Sequence, residues 1–271
     1  NDEISTLLDR NNDNRVYIDL IGREPLDVEM EADVEFLKAN DLAHSARDSI
    51  IIKLQTDTSF IEGDSSYKRA YYEWFYKSVK VRMIEGASEA EINEILGPII
   101  NERQAAIDAG DSATAAEAMQ KIMRLRQLLR AGELYREDSI DIAGMYTIML
   151  FNQVYTKINM NTFNFVNASF DNMFYRFPTE AEFDAGYDMI ENNNPAIIFG
   201  ESGQNKQDYI QILVKSREFY EGLEKWMYNS LMQREPSTQE IMNEMEDFFF
   251  DHDVQKVQRH LIRTDEYANF D

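Results

Sequence analysis

The stretch Tyr228-Asn-Ser-Leu231-Met232-Gln-Arg234-Glu235-Pro236-Ser237-Thr-Gln-Glu240 carries the key to the fold. Tyr228, Leu231 and Met232 stand at i, i+3 and i+4, the spacing of one apolar helix face. Pro236 has no N–H to extend that helix, and it drives the residue before it out of the α region, so the chain turns here. Ser237-x-x-Glu240 then forms a capping box, in which each side chain satisfies an orphan N–H of the next helix. One short stretch therefore encodes a helix end, a bend and a new helix.

The pattern occurs twice more. Tyr17-Ile-Asp-Leu20-Ile21-Gly-Arg23-Glu24-Pro25-Leu-Asp-Val-Glu29 is close to it, and Phe170-Asp-Asn-Met173-Phe174-Tyr-Arg176-Phe177-Pro178-Thr179-Glu-Ala-Glu182 keeps the aromatic, both apolar positions, Arg, Pro and Glu in register. The first copy has Leu26 where the cap belongs, which moves the expected cap to Asp27. Leu213-Val-Lys-Ser216-Arg-Glu218-Phe219 ends the second copy as Leu261-Ile-Arg-Thr264-Asp-Glu266-Tyr267 ends the third, and Leu54-Gln-Thr56-Asp57-Thr-Ser-Phe60 is the looser ending expected of the first. Each unit spans roughly 40–50 residues, the size of a small helical repeat. In the third copy Ile241, Met245, Phe248 and Phe249 form the stripe of a second helix, and Val254, Val257 and Leu261 that of a third.

Between the first two copies the composition changes. Residues 65–85, 88–109 and 111–131 read as long helices punctuated by Gly86, Gly110 and Gly132, with a further capping box at Ser88-x-x-Glu91. The stretch 140–166, rich in aromatics and Met, reads as one buried helix, and Asn192–Asn205 as a loop that lengthens the second copy. Strand signals are nearly absent. The expected fold is all-α: a first repeat unit (1–62), a long-helix region (63–162), a second unit (163–221) and a third (222–271).

Composition narrows the function. The chain has 271 residues, 27 Lys+Arg against 50 Asp+Glu, and a formal charge of −23, which repels phosphate backbones and anionic lipid. With 44% hydrophobic residues it can bury a core. It has no Cys, which removes disulfides, thiolate metal sites and thiol nucleophiles together. No apolar run is long enough to span a bilayer. The opening Asn1-Asp2-Glu3-Ile4-Ser5 carries neither Met nor a basic and apolar leader, so the expectation is an exported protein of periplasm, outer membrane or cell surface, whose lipid anchor, if one is used, lies upstream.

The candidate groups are few. The repeated Arg23, Arg176 and Arg234 read as structural ion-pair partners of Glu29, Glu182 and Glu240, around Pro25, Pro178 and Pro236. Tyr71, Tyr72, Trp74, Phe75 and Tyr76 cluster on one predicted helix; core packing accounts for some, and the rest are candidate partner-binding anchors, because so many neighbouring aromatics cannot all face inward. His252 and His260 lie eight residues apart, about 12 Å along a helix, too far to share a metal, and His44 stands alone. Asp9-Arg-Asn11-Asn-Asp13-Asn14 opens like a calcium loop, but its twelfth position is Leu20, so it reads as a polar linker. Phe199-Gly200-Glu-Ser202-Gly203 matches neither a nucleophile elbow nor a phosphate loop and reads as a turn. No catalytic, cofactor or metal residues are assigned.

The Arg-Glu-Pro and Pro-Ser/Thr-x-x-Glu turns, with the Leu-x-x-Ser/Thr-x-Glu-aromatic endings, resemble the phycobilisome-linker-like domains of unknown function in bacterial surface proteins. They also resemble related helical modules of planctomycete and Bacteroidota exported proteins. Arg15-Val-Tyr-Ile-Asp-Leu-Ile-Gly-Arg-Glu-Pro25 is similar to the planctomycete form, and residues 163–270, with Gly203-Gln-Asn-Lys206, look like the Bacteroidota form. The resemblance implies a helical module without established catalytic residues. Some neighbours of such modules carry haem c, but C-x-x-C-H is missing here; antenna linkers are basic, whereas this chain is acidic. The expected function is non-enzymatic: a structural or protein-binding subunit of an exported envelope or surface assembly, with no cofactor and no nucleic-acid partner. The alternative is an acidic metal- or ligand-binding protein, or an enzyme whose carboxylates converge only in three dimensions.

Overall fold

The fold is all-α. The computed structural model describes residues 2–61 and 65–269; the expected boundary between the first two sequence segments, at 62/63, lies outside the described residues. The helices are α1 (Asp2–Ile21), α2 (Asp27–Ala39), α3 (His44–Thr56), α4 (Tyr67–Ile84), α5 (Glu89–Asp108), α6 (Ser112–Arg136), α7 (Ile142–Leu150), α8 (Gln153–Asn159), α9 (Thr162–Phe174), α10 (Glu180–Tyr187), α11 (Lys206–Lys215), α12 (Arg217–Met227), α13 (Thr238–Asp251), α14 (Val254–Ile262) and α15 (Asp265–Ala268). Among the described residues no helix is long and apolar enough to cross a membrane.

Caps explain most boundaries. Ser88, Thr179 and Ser237 each accept the N–H three residues on while the Glu at that position accepts theirs. The stretch 140–166 is not one helix: Asn152 and Asn161 cap α8 and α9 with their side chains and break it into pieces. Asp9–Asn14 is not a linker but the middle of α1, held helical by the core that its neighbours Val16, Tyr17 and Leu20 enter. The expected loop at 192–205 contains a short antiparallel hairpin, β1 (Ala196–Ile198) and β2 (Glu201–Gly203).

The chain forms two compact units, residues 1–75 with 223–271, and residues 76–222. The first and third motif copies belong to the first unit, and the second copy to the other. In the first unit Tyr17, Leu20, Leu54, Val254 and Tyr267 are buried together with a polar network: Gln55 donates to Gln258 Oε1 at 3.3 Å, Tyr71 donates to the same atom, and Arg259 donates to Gln55 Oε1 at 3.0 Å. In the second unit the α5–α6 hairpin packs beside α7 and α8, and Leu125, Leu128, Tyr146, Phe170, Tyr209 and Phe219 are buried.

Candidate functional site

The three arginine turns share one geometry. Each begins where the preceding helix ends on a left-handed residue, Gly22 at φ 73°, Tyr175 at φ 56° and Gln233 at φ 56°, the last after a π-helical turn (Tyr228–Met232) that continues α12. That residue throws the chain back so that the next Arg lies over the aromatic one turn up: Arg23 over Tyr17 at 5.8 Å, Arg176 over Phe170 at 5.2 Å, Arg234 over Tyr228 at 5.2 Å. Each guanidinium then forks onto a carboxylate with two parallel bonds, Arg23 to Glu29 at 2.8 and 2.9 Å, Arg176 to Glu182 at 2.8 and 2.9 Å, and Arg234 to Glu240 at 2.9 and 2.7 Å. The same carboxylate accepts the cap N–H, from Leu26 at 2.7 Å, Thr179 at 2.8 Å and Ser237 at 2.7 Å. The cap of α2 is therefore Leu26 and not Asp27; the Glu29 half of the box works without a cap side chain.

The second and third turns receive a further carboxylate. Glu218 pairs with Arg176 at 2.5 and 2.9 Å, and Glu266 with Arg234 at 2.6 and 2.9 Å. In the first turn the Tyr67 hydroxyl donates to Glu29 Oε1 at 2.6 Å. Phe60, the expected counterpart of Phe219 and Tyr267, is exposed where those two are buried, so the first copy does not close through Leu54–Phe60. Beyond α3 the chain runs on to α4, and a tyrosine from α4 takes the place of the closing glutamate.

These contacts hold the carboxylates ionised. Arg234, with the Ser237 cap behind it, keeps Glu240 down at about 2; burial pushes Glu29 up, but the bonds from Arg23, Tyr67 and Leu26 prevail and also leave it at about 2. Because the folded values lie below the unfolded ones, the stability they contribute is present above about pH 4.5 and is lost as pH falls toward about 2. Arg176→Ala leaves Glu182 and Glu218 facing each other without their cation. It is expected to lower unfolding stability by about 2 kcal/mol, less than a fully buried pair because the cluster is about one-third exposed. Arg234→Ala, at a more exposed site, costs less, and Pro236→Ala least; urea titration of the three variants measures the order.

The other candidates disperse. His44 lies 3.5 Å from Asp265, His260 Nδ1 lies 3.0 Å from Glu244, and His252 occupies the left-handed end of α13. Among the described residues no group of three or more His, Cys, Asp or Glu is placed to hold a metal. The aromatic cluster of α4 packs largely inward. Tyr71, Tyr72 and Phe75 are buried and Trp74 and Tyr76 half-buried; the Trp74 ring fills the space beside Gly22, where a Cβ would come within 2.3 Å of it, and Tyr76 donates to the Leu128 carbonyl at 2.6 Å.

The sequence marked Asp9 and Asp13 only as part of a polar stretch that opens like a calcium loop; in the structure they lie one turn apart on α1, both buried, and their carboxylate oxygens and Asn12 Oδ1 have no hydrogen-bond partner among the described residues. The nearby cations are engaged elsewhere: Lys53 holds both oxygens of Asp33 at 2.6 Å, and Arg47 binds Asp265 at 2.8 Å. Burial, reinforced by Asp33 and Glu29 and opposed by Lys53, pushes Asp13 up to about 8.

No family model, curated protein or solved structure matches this chain. Its function is therefore to be read from the arrangement of its own side chains. The best-marked polar groups, the three arginines, are saturated by internal bonds, and what the chain turns outward is acid interspersed with large apolar side chains.

Proposed function

We propose that this chain is a non-enzymatic structural or protein-binding subunit of an exported envelope or surface assembly. The observation that carries the reading is the outer face of α13. Met242 and Phe250 are exposed, Phe250 at 81%, and Phe249, half-buried, stacks edge-on to Phe250 at 5.9 Å between ring centroids. Met242 and Phe249 lie seven residues apart, on one line of the helix. Burying such rings against a partner removes apolar area from water, and aromatics at the centre of an interface carry much of its affinity.

The test is cross-linking in the native envelope fraction, followed by the same experiment with Met242→Ser and Phe250→Ser together. Both side chains are exposed, so the double variant is expected to melt like the parent, and to lose at least about tenfold in partner affinity. A wild-type chain that yields no cross-linked partner overturns the proposal. The alternative, an acidic metal- or ligand-binding protein, is supported by the unpartnered Asp9 and Asp13; a melt that rises strongly with calcium and falls with chelator selects it instead.

A further inference from the structure

The hairpin that lengthens the second copy also builds a cleft. Ile197 of β1 lies opposite Ser202 of β2, and the two residues of the turn, Phe199 and Gly200, are both left-handed at φ 53° and 78°. That is the geometry of a two-residue hairpin turn, ordinarily filled by Asn, Asp or Gly. A bulky side chain there is held in an unfavourable backbone conformation, and such outliers persist where the surroundings put them to use. Phe199 seats its ring against Phe170 and Phe174, centroids 6.1 and 5.6 Å away, and remains 37% exposed on its other side.

That exposed side is one wall of a cleft of about 770 Å³, with Ile212 of α11 in its lining and the start of α12 opposite. The volume lies within the roughly 300–1,000 Å³ of typical ligand sites. Its apolar lining is Phe199 and Ile212, and Ser202 adds a hydroxyl beside them. The lining is acidic on balance. Glu201, Asp208, Glu218 and Glu221 face it with only Lys215 and Arg217 as counterweights. Glu218 is held by Arg176 and Glu221 lies 3.4 Å from Arg217, whereas Glu201 is exposed and makes no ion pair among the described residues.

We infer that this cleft docks a basic peptide segment of a partner protein, an apolar or aromatic side chain packing on Phe199 and Ile212 while an adjacent Lys or Arg side chain pairs with Glu201. The inference rests on the protein-binding reading and adds to the α13 face a second docking place with its own partner chemistry. Charge decides the partner's sign: the lining is acidic and the whole chain carries −23, so an acidic segment is repelled both at contact and at a distance.

The probe is a fluorescein-labelled peptide of alternating Lys and Phe, titrated with the full chain by anisotropy at about 150 mM salt, where long-range attraction is screened. Glu201→Lys is expected to weaken binding about tenfold, with unchanged melting, since its side chain is exposed. Glu102→Lys makes the same charge change on the exposed face of α5 and is expected to stay within about twofold. The cleft assignment is overturned if Glu102→Lys weakens binding as much as Glu201→Lys, or if an alternating Glu and Phe peptide binds as tightly. Failure of the peptide test removes the cleft assignment and leaves the protein-binding reading standing; that reading fails only when the wild type has no cross-linked partner.

Discussion

Asp13→Asn raises the stability of the chain at pH 8 by several kcal/mol and leaves it nearly unchanged at pH 4. Asp13 is 1% exposed, and neither carboxylate oxygen has a donor. Its folded value of about 8 against an ordinary 3.8 means that the folded state resists ionisation. For a carboxylate raised on folding, the penalty is absent below the unfolded value, grows as pH rises, and is complete above the folded one. At about 1.4 kcal/mol per pH unit the ceiling is about 6 kcal/mol, approached above pH 8. Asn is neutral throughout and brings two N–H donors to a helix face where Asp9 and Asn12 present unpartnered oxygens. The groups facing Asp13 are Asp33 and Glu29, which oppose its charge, and Lys53, which favours it but is committed to Asp33. Urea unfolding at the two pH values measures the effect. A destabilised variant at pH 8, or an equal gain at both, contradicts the account.

The parent's own pH profile comes from the same groups. Asp13 weakens it as pH rises from about 4 to 8, and Glu29 and Glu240 weaken it as pH drops below about 4.5. Maximum stability is therefore expected near pH 5, more acidic than is usual for a globular protein.

What could be read from the residues alone was local chemistry. The arginine turns were legible because Arg, Pro, cap and Glu lie within a few positions of one another, and their bonds form wherever the chain bends. Helix boundaries at Ser88, Gly110 and Thr179 were legible for the same reason. The acid stretch of α1 was not: Asp and Asn favour caps and turns by propensity, and only tertiary packing of Val16, Tyr17 and Leu20 carries the helix through them. Which of the α4 rings are buried was hidden too, since it depends on distant neighbours such as Gly22 beside Trp74 and the Leu128 carbonyl beside Tyr76. The cleft left no trace in the sequence, because Phe199 occupies a turn that rarely accepts it and Ile212 and Glu221 reach the same space from separate helices. The third group on each Arg–Glu pair divides along this line: Glu218 and Glu266 sit in matching endings, but Tyr67 could be found only in space.

Gly222→Ala is expected to cost about 2–4 kcal/mol, although Ala is the better helix former by about 1 kcal/mol. A Cβ on Gly222 would stand 2.0 Å from the Met173 carbonyl oxygen and 3.1 Å from its carbon. The obstacle is backbone of α9, which cannot rotate aside as a side chain does, so α12 must move away. That contact positions Glu218, one turn earlier on α12, against Arg176, just beyond the end of α9. Separating the helices therefore stretches an ion pair as well as opening the packing around Phe219. Urea midpoints read the loss. If the variant gains stability instead, α9 and α12 do not approach as closely as the second arginine turn requires.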